Sequence, residues 1–148
     1  MHLVAGSGSV PNYAILKYAL AAHPRLRQTF LYSNKTWDDV IFRDGLVALE
    51  ARFPRRLRVV HTLTREEHPE RHGPDVHKGR VGPGLLRELI PDPAACLVYA
   101  CGPAIGPHER AAARERGEPP APRFLETVVA ALAEVGVPKE RIKTEAYG

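Results

Sequence analysis

The strongest constraint on this chain is a repeated change of apolar period. Short runs of aliphatic and β-branched residues alternate with stretches whose apolar residues recur every three or four positions. Leu3-Val4-Ala5 is a short apolar run cut by Gly6-Ser7-Gly8. Ile15, Leu16, Ala19 and Leu20 follow at helical spacing, with Ser9 placed to cap the helix and Pro11 in its first turn. Residues 29–32 read as a second strand, and Phe42, Leu46, Leu49 and Phe53 share one face of a second helix. Leu57–Leu63 reads as a third strand, Leu85, Leu86, Leu89 and Ile90 as a short helix, and residues 95–100 as a fourth strand. Leu125, Val128, Val129, Leu132 and Val135 mark an amphipathic helix stopped by Gly136 and Pro138, and residues 141–146 form a final strand. Strands alternating with helices imply βαβ units. Right-handed crossovers then give an α/β fold: a doubly wound, mostly parallel five-stranded sheet with helices on both faces.

At 148 residues the chain fits one domain, spanning 1–148. Its net charge of +4 is scattered, which favours small acidic ligands such as phosphates and argues against nucleic acid. No apolar run approaches the ~20 residues of a membrane span, and the first residues lack a signal-peptide pattern. Cys96 and Cys101 would face opposite sides of one strand, so a disulfide is not expected and the count suits a reducing cytoplasm. His68, His72 and His77, with Glu66, Glu67 and Asp75, fit no common zinc spacing and read as a solvated loop; no metal is expected. Residues 108–122 are polar and proline-rich, an exposed excursion and not a domain linker.

Two junctions carry chemistry. Gly6-Ser7-Gly8-Ser9-Val10-Pro11 lies between a strand and a helix, at the carboxyl edge of the expected sheet, where ligands bind. Glycines allow close backbone approach to a phosphate, and the helix start offers free N–H groups; the alternative is a plain tight turn. The common dinucleotide fingerprint places a third glycine where Pro11 stands, and an acid where the second strand ends in Ser33-Asn34-Lys35. A standard Rossmann dehydrogenase is therefore disfavoured, and no Lys follows the glycines as in a Walker loop. Cys101-Gly102-Pro103 reaches the same edge. It either flanks a planar ring or is a buried structural cysteine before a turn.

Five segments then occur in one order: residues 5–11, Tyr32-Ser33-Asn34-Lys35-Thr36, Gly79-Arg80-Val81, Ala100-Cys101-Gly102-Pro103 and Glu145-Ala146-Tyr147-Gly148. Together they resemble the nicotinamide-nucleotide-binding domain of the ferredoxin–NADP⁺ reductase family, closest to oxygenase reductases and the reductase end of flavohaemoglobins. The resemblance implies that Gly6, Ser7, Gly8, Ser9, Val10 and Pro11 approach the pyrophosphate of NAD(P)H. It implies that Ser33, Asn34 and Lys35 contact the adenosine ribose, and that Cys101, Gly102 and Pro103 flank the nicotinamide. Tyr147 would cover the flavin ring, with Glu145 close by, so Cys101, Glu145 and Tyr147 are the candidate catalytic residues. The family places an FAD-binding barrel with an Arg-x-Tyr-Ser/Thr motif before this domain, and no tyrosine here has Arg two positions earlier. The flavin-binding domain is thus expected on a separate chain or on a missing part of a longer one.

The resemblance implies an NAD(P)H-dependent flavoprotein reductase part. It passes hydride to FAD and electrons onward to an iron–sulfur or haem partner, and is inactive alone. An acidic electron-transfer protein could use the basic run Arg55, Arg56 and Arg58, which otherwise reads as a solvated helix end. The alternative is a non-catalytic nucleotide-binding regulatory or scaffold subunit. Neither coenzyme is singled out, because Lys35 could pair with a 2′-phosphate or point into solvent.

Overall fold

A computed structural model describes residues 1–146. Six strands form one sheet: β1 (His2–Ala5), β2 (Gln28–Asn34), β3 (Leu57–Leu63), β4 (Val76–Lys78), β5 (Val98–Gly102) and β6 (Ile142–Ala146). Their spatial order is β4-β3-β2-β1-β5-β6, and every pairing is parallel. Five α-helices connect them among the described residues: α1 (Ser9–Ala22), α2 (Arg43–Arg52), α3 (Pro83–Leu89), α4 (Pro107–Arg116) and α5 (Phe124–Val135).

The inner strands β1, β2, β3 and β5 are largely buried on both faces, as a parallel sheet covered by helices requires, and the edge strand β6 is mostly exposed. Alternate side chains therefore go to different cores. Leu3, Leu31, Val60 and Ala100 pack with Leu86 of α3 and Val128 and Leu132 of α5. Val4, Tyr32, Val59 and Cys101 pack on the opposite face with Leu16 of α1 and Leu46 of α2. No helix of the described residues is long and apolar enough to cross a membrane.

Two sequence expectations need correction. The sheet has six strands and not five, because β4 forms inside the histidine-bearing stretch read as loop. It is only three residues long, too short to show a period, and pairs with β3 through His61↔Val76 to Leu63↔Lys78. Phe42 does not lie on the buried face of α2. It precedes the helix at φ 59°, is 37% exposed and stacks on Tyr13 at 4.4 Å.

Candidate functional site

The order of the strands creates the site. From β1 the chain winds outward through β2, β3 and β4, then returns to the other side of β1 to place β5 and β6. At such a reversal the loops after β1 and β5 diverge and leave a crevice at the carboxyl edge. A cleft of about 670 Å³ opens there. Ala5 at the end of β1 and Gly6 just after it, Ser33, Asn34 and Lys35 at the end of β2, Thr64 after β3 and Pro103 after β5 all line it.

The loop after β1 is fixed from inside the protein. Gly6 adopts φ +53°, a left-handed conformation that glycine takes without penalty, and an added Cβ there would meet nothing within 4 Å. The Tyr32 hydroxyl lies 2.9 Å from the Gly6 carbonyl oxygen and 2.9 Å from Ser9 Oγ. Its single proton goes to the carbonyl, which can only accept, and the Ser9 hydroxyl then donates back. Ile41 N–H donates to the same phenol oxygen at 3.3 Å. Burial pushes the Tyr32 phenol above its ordinary pKa, so it remains a donor.

Gly8 is a glycine for a different reason. A Cβ there would sit 2.7 Å from the Cys101 carbonyl carbon and 2.9 Å from the Gly102 nitrogen. The start of α1 thus rests directly on the backbone of β5. Gly102 is tight in the same way, since its Cβ would come within 2.6 Å of the Phe124 ring and 3.2 Å of Ala5 Cβ.

The sequence-derived residues therefore divide. Gly6, Ser33, Asn34, Lys35 and Pro103 share the cleft. Ser9 is fully buried beneath it, Val10 is about half exposed, and neither these nor Ser7, Gly8 and Pro11 line its wall. Cys101 is 1% exposed, and its side chain joins the core cluster of Val4 and Leu16. Burial, and after it the Glu145 carboxylate, push its thiol above the ordinary cysteine value, so it stays protonated. Glu145 is its register partner on β6. Tyr147 lies outside the described residues.

Other cleft residues escaped the sequence reading: Asp39, Thr64, Pro122, Arg123 and Phe124, and Arg80 and Val81 had no assigned role. Asp39 is oriented by Thr36, whose N–H and Oγ1 donate to its Oδ2 at 2.9 and 2.8 Å. These bonds hold the carboxyl below its usual pKa. Glu126 accepts from the N–H groups of Ile105 at 3.0 Å and Arg123 at 3.1 Å, so a carboxylate already occupies the start of α5.

Comparison with known proteins agrees with this arrangement. The Oxidoreductase NAD-binding domain profile matches residues 3–105. The chain is 34% identical over 104 residues to nitrate reductase [NADH] 1 of Zea mays, covering 68% of this chain and 17% of that protein. It is 30% identical over 145 residues to the ferredoxin reductase component of a Mycobacterium tuberculosis 3-ketosteroid-9-alpha-monooxygenase, covering 98% of this chain and 32% of that protein. Among solved structures, the FAD/NAD-binding domain of a Vibrio cholerae nitric oxide dioxygenase superposes with TM-score 0.71 at 26% identity, over 99% of this chain and 50% of that one. The cytochrome b5 reductase-containing domains of human Ncb5or, in an NAD⁺ form, give 0.70 at 29% identity, over 97% of this chain and 35% of that one. The chain thus spans a third or less of these two curated relatives. With a family match over more than half its length and a parallel sheet that opens at the β1/β5 crest, the chain belongs to the oxidoreductase NAD-binding domain family.

Proposed function

We propose that this chain is the nicotinamide-nucleotide-binding module of a flavin-dependent reductase. It takes NADH and presents it to FAD held on another domain, from which electrons pass to a haem or iron–sulfur acceptor. The observation that carries this reading is the single cleft at the β1/β5 reversal, which joins Gly6, Ser33-Asn34-Lys35 and Pro103.

The cleft suits an elongated dianion with a planar ring at each end. Gly6 offers backbone without a side chain in the way, and Lys35, Arg80 and Arg123 supply positive charge. Ser33 and Asn34 line the cleft where the adenosine ribose would lie, and their polar side chains suit its hydroxyls. Pro103, Val81 and Phe124 give an apolar wall for a ring. Bound NAD(P)H supplies the hydride. The chain's own residues bind and orient it and exclude water, and no side chain need act as acid or base. In this reading Cys101 and Gly102 shape the nicotinamide end through their backbone, with Glu145 alongside. Ser7, Gly8, Ser9, Val10 and Pro11 support the loop that faces the diphosphate.

The preference for NADH rests on Asp39. Its oriented carboxylate lines the cleft with Ser33, Asn34 and Lys35, where it accepts from a ribose hydroxyl and repels a 2′-phosphate. The maize relative is an NADH enzyme, in keeping with this.

The test is anaerobic titration of the protein in its flavin-bearing form. NADH should bleach the yellow flavin absorbance, and do so at lower concentration than NADPH. Tight NADH binding without any flavin reduction would leave the regulatory-subunit reading standing in its place.

A further inference from the structure

Residues 106–123 lie beyond the part of the chain that the family profile matches. They leave the sheet after β5 and return at the first residue of α5. The excursion is built. Ala113 of α4 is 1% exposed, Gly117 turns the chain at φ +68°, and Glu118 N–H donates back to the Ala113 carbonyl at 3.0 Å. Its two ends are tied together by two carboxylates. Glu109 accepts from Gly106 N–H at 2.8 Å and pairs with Arg123 Nε at 2.8 Å. Glu126 joins Ile105 to Arg123 through their N–H groups.

The effect of both ties is to deliver Pro122 and Arg123 to the cleft, which also takes Arg80. The contact between Glu109 and Arg123 is an ion pair whose shortest approach is at Nε. The two terminal amino groups of that guanidinium have no hydrogen-bond partner among the described residues. A guanidinium restrained by an ion pair on one side is preorganised to present its unsatisfied N–H groups to a second anion. The start of α5 is not available for that anion, because Glu126 fills it.

We infer that Arg123 is a diphosphate-binding residue of this chain, placed by the 106–123 excursion and clamped by Glu109. The inference rests on the NAD(P)H reading above. It adds a cation from outside the profile-matched region, so the excursion becomes part of the coenzyme site and not a surface ornament.

The test is an NMR shift titration of the 148-residue chain with NADH and with ADP-ribose, which keeps the diphosphate and lacks nicotinamide. Arg123→Gln should weaken both ligands by about tenfold, as expected for a lost charge-assisted pair, and flatten the salt dependence of binding. Glu109→Gln keeps the positive charge while breaking the clamp, and should weaken both by clearly less. Equal losses in the two variants would assign Arg123 to the clamp alone and overturn the inference, as would wild-type affinity in Arg123→Gln. If Arg123→Gln does not fold, Arg123→Lys should fold and still lose affinity severalfold, and unchanged affinity there overturns it too. Failure of the wild-type chain to bind either ligand overturns the NAD(P)H reading itself, a result distinct from selective loss in the variants.

Discussion

Gly6 turns its carbonyl oxygen to the buried Tyr32 hydroxyl 2.9 Å away, so a strand residue holds the left-handed turn at the lip of the cleft. Tyr32→Phe removes the phenol oxygen and leaves the Gly6 carbonyl, the Ser9 hydroxyl and the Ile41 N–H without it. Stability should fall by roughly 1–3 kcal/mol in urea unfolding, the usual cost of orphaned buried polar groups. NADH affinity should fall severalfold as the loop loosens. A stability loss with unaltered affinity would remove Tyr32 from any part in shaping the site.

Gly8→Ala and Gly6→Ala should differ in kind. At Gly8 the new methyl meets the Cys101–Gly102 backbone, which cannot rotate away, and the cost should be about 1–3 kcal/mol or more. At Gly6 space is open and only the positive φ is penalised, by about 1–2 kcal/mol. Gly8→Ala should therefore also shift backbone NMR signals at Cys101 and Gly102, and Gly6→Ala should leave them in place.

Asp39→Asn should raise the catalytic efficiency with NADPH relative to NADH by about tenfold, since removing a like charge relieves repulsion of the 2′-phosphate. Thr36→Val, which removes one of the two bonds that orient Asp39, should move the ratio the same way but less. Steady-state kinetics of the flavin-bearing protein with both coenzymes measures this, and an unchanged ratio would return coenzyme choice to Lys35.

Acid should destabilise the fold through two histidines. Burial is the main cause that lowers the pKa of His2 and of His61 to about 4, from 6.5 in the unfolded chain. Between these values the unfolded state binds the extra protons, so stability falls as pH drops from about 6.5 to about 4 and levels off below. Each group contributes on the order of 3 kcal/mol across that window. His61→Gln, which carries no titrating ring, should flatten the urea midpoint against pH over that range. A midpoint as steep as wild type would put the acid sensitivity elsewhere.

The sequence disclosed the elements with a strong period and the loops that punctuate them. β3 matches its apolar run residue for residue, and the β1–Gly6 junction is where the glycines placed it. What it concealed follows from physics with no local signature. β4 has three residues and exists because its backbone pairs with β3. Arg123 is held at the cleft by an ion pair with Glu109, and Asp39 by hydrogen bonds from Thr36, neither of which spacing encodes. The meaning of Gly8 was also hidden. Its missing side chain makes room for the neighbouring strand's backbone, a contact made across the sheet by residues more than ninety positions later.

That same seam sets when the cleft can come into being. β1 pairs with β5 through His2↔Tyr99 to Val4↔Cys101, a contact between distant parts of the chain. The β1–β2–β3 pairings join much nearer segments and lose less chain entropy on closing. A nascent chain that ends after β4 can assemble a sheet edge but has no second wall for the crevice. Coenzyme can only grip a molecule whose late-made half has docked, so ligand added during refolding should act after the rate-limiting step and slow unfolding more than it speeds folding.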